Sequence, residues 1–306
     1  MEFRQALNKA LTELMKKDDK ICILDADLSK PNGTASLYKE FPDRCFDVGI
    51  AEANMIGVAA GLAAYGYKPI VFSFTPFATR RVCDQIAVSV AYAKQKVIIV
   101  GTDPGITATL NGGTHMSFED VAVVRSIPSM VIYDAVDPNQ LSQAIEQLLA
   151  IENPVYIRTP RKLKTKIFDE NYRYKLFKAD VICEGNDVTI LATGTMVNEA
   201  LTAVKLLKEE GISAELISAN TIKPLDSDTI LKSVKKTNHL VVCDNHNIIG
   251  GLYSATCEML SEKYPMKVGV IGVKDCFGQV GSYDELLKAY EMTPADICKV
   301  VKENIK

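Results

Sequence analysis

Short apolar runs, each followed by a stretch of helical spacing, most restrict the fold open to this chain. Residues 20–25 (Lys-Ile-Cys-Ile-Leu-Asp), 70–74, 96–101, 130–133 and 155–158 carry almost no polar interruption. Strands that are apolar on both faces belong to sheets covered on both sides, the usual setting of parallel strands. Parallel neighbours need long crossovers, and helical patterns at 3–16, 77–93, 118–126 and 139–150 supply them. Asp137-Pro138 is a start signal for the last of these. The alternation predicts a doubly wound, mostly parallel α/β sheet.

The pattern resumes further on, with strands at 188–192, 214–217, 239–243 and 267–272 and helices at 198–210, 227–234 and 251–264. Between the halves the character changes. Lys162, Lys164, Lys166, Arg173, Lys175 and Lys178 fall in a segment of weak periodicity, which reads as a solvated linker. A chain of 306 residues has room for two domains. The expected division is 1–165, a linker at 166–180, and 181–306, both domains α/β with mostly parallel sheets.

A net charge of −3 gives no general attraction to nucleic acid or an anionic membrane. No apolar run is long enough to cross a bilayer, and Met1-Glu2-Phe3-Arg4 lacks a signal-peptide pattern. The 8 cysteines are scattered, without a Cys-x-x-Cys pair, and most fall inside apolar elements. They read as reduced core residues of a cytoplasmic protein, and no metal site is expected.

In an open α/β sheet, ligands gather at the carboxyl ends of the strands. One such end is Asp47-Val48-Gly49-Ile50-Ala51-Glu52, which leads into a run of small residues at 56–65 that reads as a buried helix. Glu52 falls in its first turn, where the helix dipole favours a carboxylate and apolar neighbours disfavour it. It is either a capping or paired glutamate, or one that shares a proton with a ligand nitrogen. Other polar strand ends are Asp25-Ala26-Asp27-Leu28-Ser29 and a loop at 103–116 rich in Gly, Thr and Asn. Of the 3 histidines, His239 precedes a strand and reads as structural, and His246 suits a turn before Gly250-Gly251.

Taken together, the motifs resemble the transketolase family. Val48-Gly49-Ile50-Ala51-Glu52-Ala53-Asn54-Met55 is similar to the glutamate motif of its pyrimidine-binding domain. Asp25–Ser29, Phe72-Ser73-Phe74-Thr75-Pro76-Phe77-Ala78 and Gly113-Thr114-His115 follow the same order at similar spacing. Ile222–Asp226, His246–Gly251 and Asp275–Tyr283 resemble the family's C-terminal domain, so the likeness covers the chain. The family's diphosphate–Mg²⁺ signature, Gly-Asp-Gly followed some thirty residues on by Asn-Asn, does not occur in this sequence.

The resemblance implies the C-terminal subunit of a split transketolase, using thiamine diphosphate with Mg²⁺ held by an N-terminal, diphosphate-binding partner subunit. An α₂β₂ assembly is the default that follows. Glu52 would then share a proton with the coenzyme's pyrimidine ring, Phe74 and Phe77 would pack on that ring, and Asp27 would lie near the cofactor. His115 would stand beside the reacting centre and the substrate hydroxyls, suited to proton transfer near neutral pH. Arg4 and Arg161 match positions that contact the phosphate of a sugar phosphate. Three positions depart from the pattern. Arg80 stands where some members carry a third aromatic. Asp103 replaces a phosphate-binding histidine, and Asn111 replaces an aspartate that meets the donor hydroxyl. The sugar or sugar phosphate taken could therefore differ from the usual pentose phosphates. Alternatives are a 1-deoxyxylulose-5-phosphate synthase-like enzyme, a 2-oxoacid dehydrogenase E1 beta-like subunit, or a non-catalytic subunit of the same fold.

Overall fold

The computed structural model describes residues 1–306, which fall into two compact units. The first comprises Met1–Pro104 and Val123–Leu176, the second Gly105–Ala122 and Phe177–Lys306.

In the first unit the strands are β1 (Ile21–Asp25), β2 (Cys45–Asp47), β3 (Lys68–Phe74), β4 (Ile98–Thr102), β5 (Val131–Asp134) and β6 (Val155–Thr159). They lie in the order β5-β6-β4-β3-β1-β2, every pair parallel. β1, β4, β5 and β6 are buried along their whole length, the polar residues at their carboxyl ends included. Because all six strands point the same way, their carboxyl ends share one edge. The registers align these ends: Asp25 lies beside Asp47 and Phe72, Phe74 beside Thr102, and Thr102 beside Thr159. Chain order reverses between β1 and β3, which makes this edge the natural crevice for a ligand.

Two helices differ from expectation. The helix Glu52–Ala64 has Glu52 in its first turn, as expected, but it is not buried all round. Ala53, Asn54, Gly57, Val58 and Gly61 are exposed, and a Cβ added at Gly57 or Gly61 would meet nothing within 4 Å. The helix expected at 77–93 is broken. It comprises Thr75–Ala78, a 3₁₀ turn Arg80–Val82, a short turn Cys83–Gln85 and a π-helical stretch Ile86–Tyr92. Thr79 causes the break: it sits at φ −128°, ψ −85°, with its hydroxyl donating to Thr75 O at 2.7 Å.

The basic segment read as a solvated linker has no regular structure, yet much of it is strapped to the helix Pro138–Ala150. Asp137, whose carboxylate caps that helix through Gln140 N, also accepts from Ile167 N and Phe168 N. Asn139, Gln143 and Gln147, one helical turn apart, bond to Asp169 O, Tyr174 N and Leu176 N respectively. Successive amide side chains thus satisfy backbone groups that a free linker would leave to water.

The second unit has strands β7 (Asp180–Cys183), β8 (Val188–Ala192), β9 (Ala214–Ser218), a short β10 (Thr221–Lys223), β11 (Leu240–Asn247) and β12 (Val268–Val273). Its sheet runs β12-β11-β8-β9-β7, parallel except for β7, an antiparallel edge that the sequence pattern does not reveal. Residues 105–122, which the sequence reading keeps within 1–165, group with this unit. Ile106 N donates to Asn245 Oδ1 at 3.0 Å, and Asn247 N donates to Phe118 O at 2.9 Å. No helix is long and apolar enough to cross a membrane.

Candidate active site at the carboxyl edge of the first sheet

Three strand ends are tied by one buried polar network centred on Asp25, the last residue of β1. Its carboxylate accepts from Asn32 Nδ2 (2.9 Å), Thr34 Oγ1 (2.7 Å) and Tyr38 OH (3.3 Å). Asn32 Oδ1 in turn accepts from Thr102 Oγ1 at the end of β4, and Thr75 Oγ1 after β3 donates to Thr102 O. Burial pushes the Asp25 carboxyl up to about 6, against the pull of its three donors. The sequence reading singles out Asp27 rather than Asp25. Asp27 is exposed, at φ 58°, its N–H donating to Asp47 Oδ1 at 3.0 Å.

The Asp25 shift gives a testable pH dependence. A carboxyl with a raised folded value stabilises the fold fully below its unfolded value of 3.8 and loses that contribution as pH rises through about 6. Relative to Asp25→Asn, the wild-type chain should therefore lose roughly 2–3 kcal/mol of unfolding free energy between pH 4 and 7. Urea titrations of both proteins across that range measure it. A constant difference would mean that Asp25 is ionised throughout.

Apart from Asp27, the predicted site residues of the first unit form one series of contacts. Glu52, at the first position of its helix, is 4% exposed, and its Oε1 accepts from Arg81 Nη1 at 2.8 Å. The Arg81 guanidinium lies 3.9 Å from the centre of the Phe77 ring, and Phe77 meets Phe74 edge to face at 6.3 Å. Another neighbour of Phe74 is the Arg161 guanidinium, 4.6 Å from the ring centre. Arg161 is clasped by Asp103, through Nε at 2.6 Å and its backbone N–H at 2.8 Å. Arg4 joins through its backbone, donating to Arg161 O at 3.1 Å, while its side chain bonds to Glu2 and Pro31 O. Arg80 is exposed beside Arg81.

The geometry answers the puzzle that Asp103 raises. An acidic side chain among phosphate-binding groups is unfavourable unless a cation intervenes, and here Arg161 intervenes directly. Burial pushes the Asp103 carboxyl upward, and the Arg161 charge and hydrogen bonds oppose that push. Sequence reasoning also misses Arg81. Nothing in Arg80-Arg81 distinguishes the arginine that reaches Glu52 from its neighbour. Asp134 and Arg158, paired at 2.7 Å in register on β5 and β6, are a further buried ion pair it does not identify.

Asn111 and His115 belong to the second unit. Asn111 is exposed at the end of the 3₁₀ segment Gly105–Asn111, and His115 is half-buried with Nδ1 2.9 Å from Thr114 Oγ1. Their loop is held by Gly113, where a Cβ would come within 2.4 Å of Gly278 O. His246 is fully buried at 0% exposure, within β11 rather than in a turn. Its Nδ1 donates to Asn247 O at 2.7 Å and its Nε2 accepts from Ala122 N at 3.4 Å, with the Asp120 carboxylate 3.9 Å away. His239, as expected, is structural, its Nδ1 donating to Asn304 O at 3.0 Å.

The transketolase pyrimidine binding domain family matches residues 1–166, and the transketolase C-terminal domain family matches residues 177–297. The chain belongs to the transketolase family. It is 50% identical to the 6-deoxy-6-sulfo-D-fructose transketolase subunit SqwH of Clostridium sp. (strain MSTE9), over 96% of this chain and 91% of that protein. It is 42% identical to a putative transketolase C-terminal section of Methanocaldococcus jannaschii, over 99% and 96% of the two. Among solved structures, a split gene transketolase described as an inactive beta4 tetramer aligns with TM-score 0.90 and 38% identity, over 100% of this chain and 98% of that one.

Transketolases use thiamine diphosphate, and the residues assembled here fit its aminopyrimidine. A buried carboxylate and an aromatic face already hold a flat, hydrogen-bonding guanidinium between them, and a flat basic ring asks for the same two contacts.

Proposed function

We propose that this chain is the C-terminal subunit of a split transketolase that moves a two-carbon ketol unit from a ketose to an aldose, in an α₂β₂ assembly with a diphosphate-binding partner. The observation that carries this reading is a buried Glu52 linked through Arg81 to the Phe77 ring, which meets Phe74, at the carboxyl edge of a parallel sheet. Its support is a likeness to split subunits of nearly equal length. When bound, thiamine diphosphate supplies the nucleophilic carbon and the electron sink for breaking and remaking a carbon–carbon bond. Glu52 holds and returns a proton at the ring nitrogen, and Phe74 and Phe77 orient the ring. Asp27 is assigned to the neighbourhood of the cofactor, and His115 moves a proton at the substrate hydroxyls.

Mg²⁺ and its ligands are assigned to the partner. Arg161 and Arg4 are assigned to the far end of the sugar, with Asn111 at the donor hydroxyl. Because Asp103 offsets the Arg161 charge, the far end that suits this site is a singly charged group such as a sulfonate, in preference to a doubly charged phosphate. The similarity to a sulfofructose transketolase subunit supports the same preference.

Mixing the chain with its partner, Mg²⁺ and thiamine diphosphate should produce ketol transfer, whereas the chain with coenzyme and metal but no partner should produce none. A coupled assay on a panel of sulfonated, phosphorylated and neutral ketoses reads both the activity and the preference. Transfer by the chain without its partner would refute the divided site.

A further inference from the structure

Arg81 makes the two contacts that the preceding reading gives to the coenzyme's ring. Its Nη1 donates to Glu52 Oε1 at 2.8 Å, and its guanidinium covers the Phe77 ring at 3.9 Å. A guanidinium is planar, delocalised and hydrogen-bonding at its rim, and an aminopyrimidine shares all three properties. While Arg81 lies there, the Glu52 oxygen it holds and the Phe77 face it covers are closed to a second flat group. The two partners are not equally fixed: the Glu52 side chain is 4% exposed and that of Arg81 46%. Glu52 is therefore set by the fold, and Arg81 is the member able to leave.

We propose that Arg81 is a resident placeholder for the pyrimidine ring. In the unloaded subunit it neutralises Glu52 and covers Phe77, and it swings into solvent when the aminopyrimidine docks. The inference rests on the assignment of Glu52 and Phe77 to that ring. It has a physical rationale on both sides of the exchange. Before loading, an unpaired carboxylate this deeply buried would be costly, so the subunit folds and waits with a paired one. On loading, the apparent coenzyme affinity is the intrinsic one reduced by the fraction of molecules whose ring seat is uncovered. Arg81 is accordingly a positioning residue, acting through Glu52 and setting how readily the coenzyme enters.

The test uses the complex of this chain with its partner subunit, titrated with thiamine diphosphate in the presence of Mg²⁺. Binding is read by calorimetry, and melting temperatures are read with and without coenzyme. Arg81→Ala should bind the coenzyme about 3- to 10-fold more tightly than wild type. It should melt lower than wild type when unloaded and at the same temperature when loaded. Arg81→Lys, which keeps the charge but not the planar cover, should fall between the two. Equal or weaker binding by Arg81→Ala, or the same drop in melting temperature in both states, would show an ordinary structural ion pair and overturn the proposal. If the wild-type complex binds no thiamine diphosphate, the assignment of Glu52 and Phe77 falls, and the placeholder falls with it.

Discussion

Glu52→Gln is expected to slow proton exchange at the coenzyme's reacting carbon by ~10²–10⁴ in the assembled enzyme. The amide keeps the length and one acceptor oxygen of the carboxylate but cannot hold and return a proton. Its effect on the fold should be small. The amide oxygen of the substituted side chain would still accept from Arg81, and because that arginine is half exposed, losing the charge should cost about 1 kcal/mol or less. Assembly with the partner should be unaffected. The measurement is hydrogen–deuterium exchange on bound coenzyme by quenched-flow NMR, with light scattering to verify assembly. Exchange at the wild-type rate would remove Glu52 from the proton path and leave it as the ion-pair partner of Arg81. Coenzyme loading must be measured in parallel, since a weaker contact with Arg81 also changes how easily the ring enters.

How much of this is legible in the sequence depends on which physical signal each element carries. The strands are plain because burial on both faces favours apolar residues: β1, β4, β5 and β6 are apolar up to the polar residues at their carboxyl ends, and all are buried in the structure. The antiparallel β7 is not plain, because Asp180–Cys183 is partly exposed and carries no such run. The helix at Glu52 misleads for the opposite reason. Gly and Ala look the same whether packed or open, so the exposed Gly57 and Gly61 read as core. The break at Thr79 depends on a backbone conformation that threonine does not advertise.

The site shows the same division. Glu52, Phe74, Phe77, Asp103 and Arg161 each lie at or just beyond the end of a strand, and parallel strands deliver such ends to one edge, so their gathering is foreseeable from topology. The pairings are not. Charge pairing is decided by which side chains can reach one another, and Asp103 and Arg161 are 58 positions apart. Asp25 escapes notice because a terminal aspartate on an apolar run looks like the first residue of the polar loop. Its donors Asn32, Thr34 and Tyr38 are brought back to it only by the turns that follow.

Asp103→Asn should invert the preference for the far end of the substrate. In the wild-type chain Asp103 takes the Nε and backbone N–H of Arg161 and offsets its charge, so a dianion approaching that arginine also approaches a carboxylate. The asparagine can still accept from Arg161 N through Oδ1, but its amide hydrogens would face Arg161 Nε, and the guanidinium would be left with its full charge. The ratio of kcat/KM for a phosphorylated over a sulfonated ketose should then rise by roughly tenfold, which is about 1.4 kcal/mol of differential stabilisation. The change should lie mainly in KM, because the far end of the sugar does not take part in bond breaking. Stability should move the other way: uncoupling a buried arginine from its carboxylate costs roughly 3–5 kcal/mol, so the kinetics need a temperature well below the lowered melting point. The two readouts separate the alternatives. A large loss of stability with an unchanged substrate ratio would make Asp103 and Arg161 a structural clasp beneath Phe74, with the sugar's far end recognised elsewhere. A changed ratio would assign to Asp103, one of the residues that depart from the family pattern, the selection of the anion this enzyme accepts.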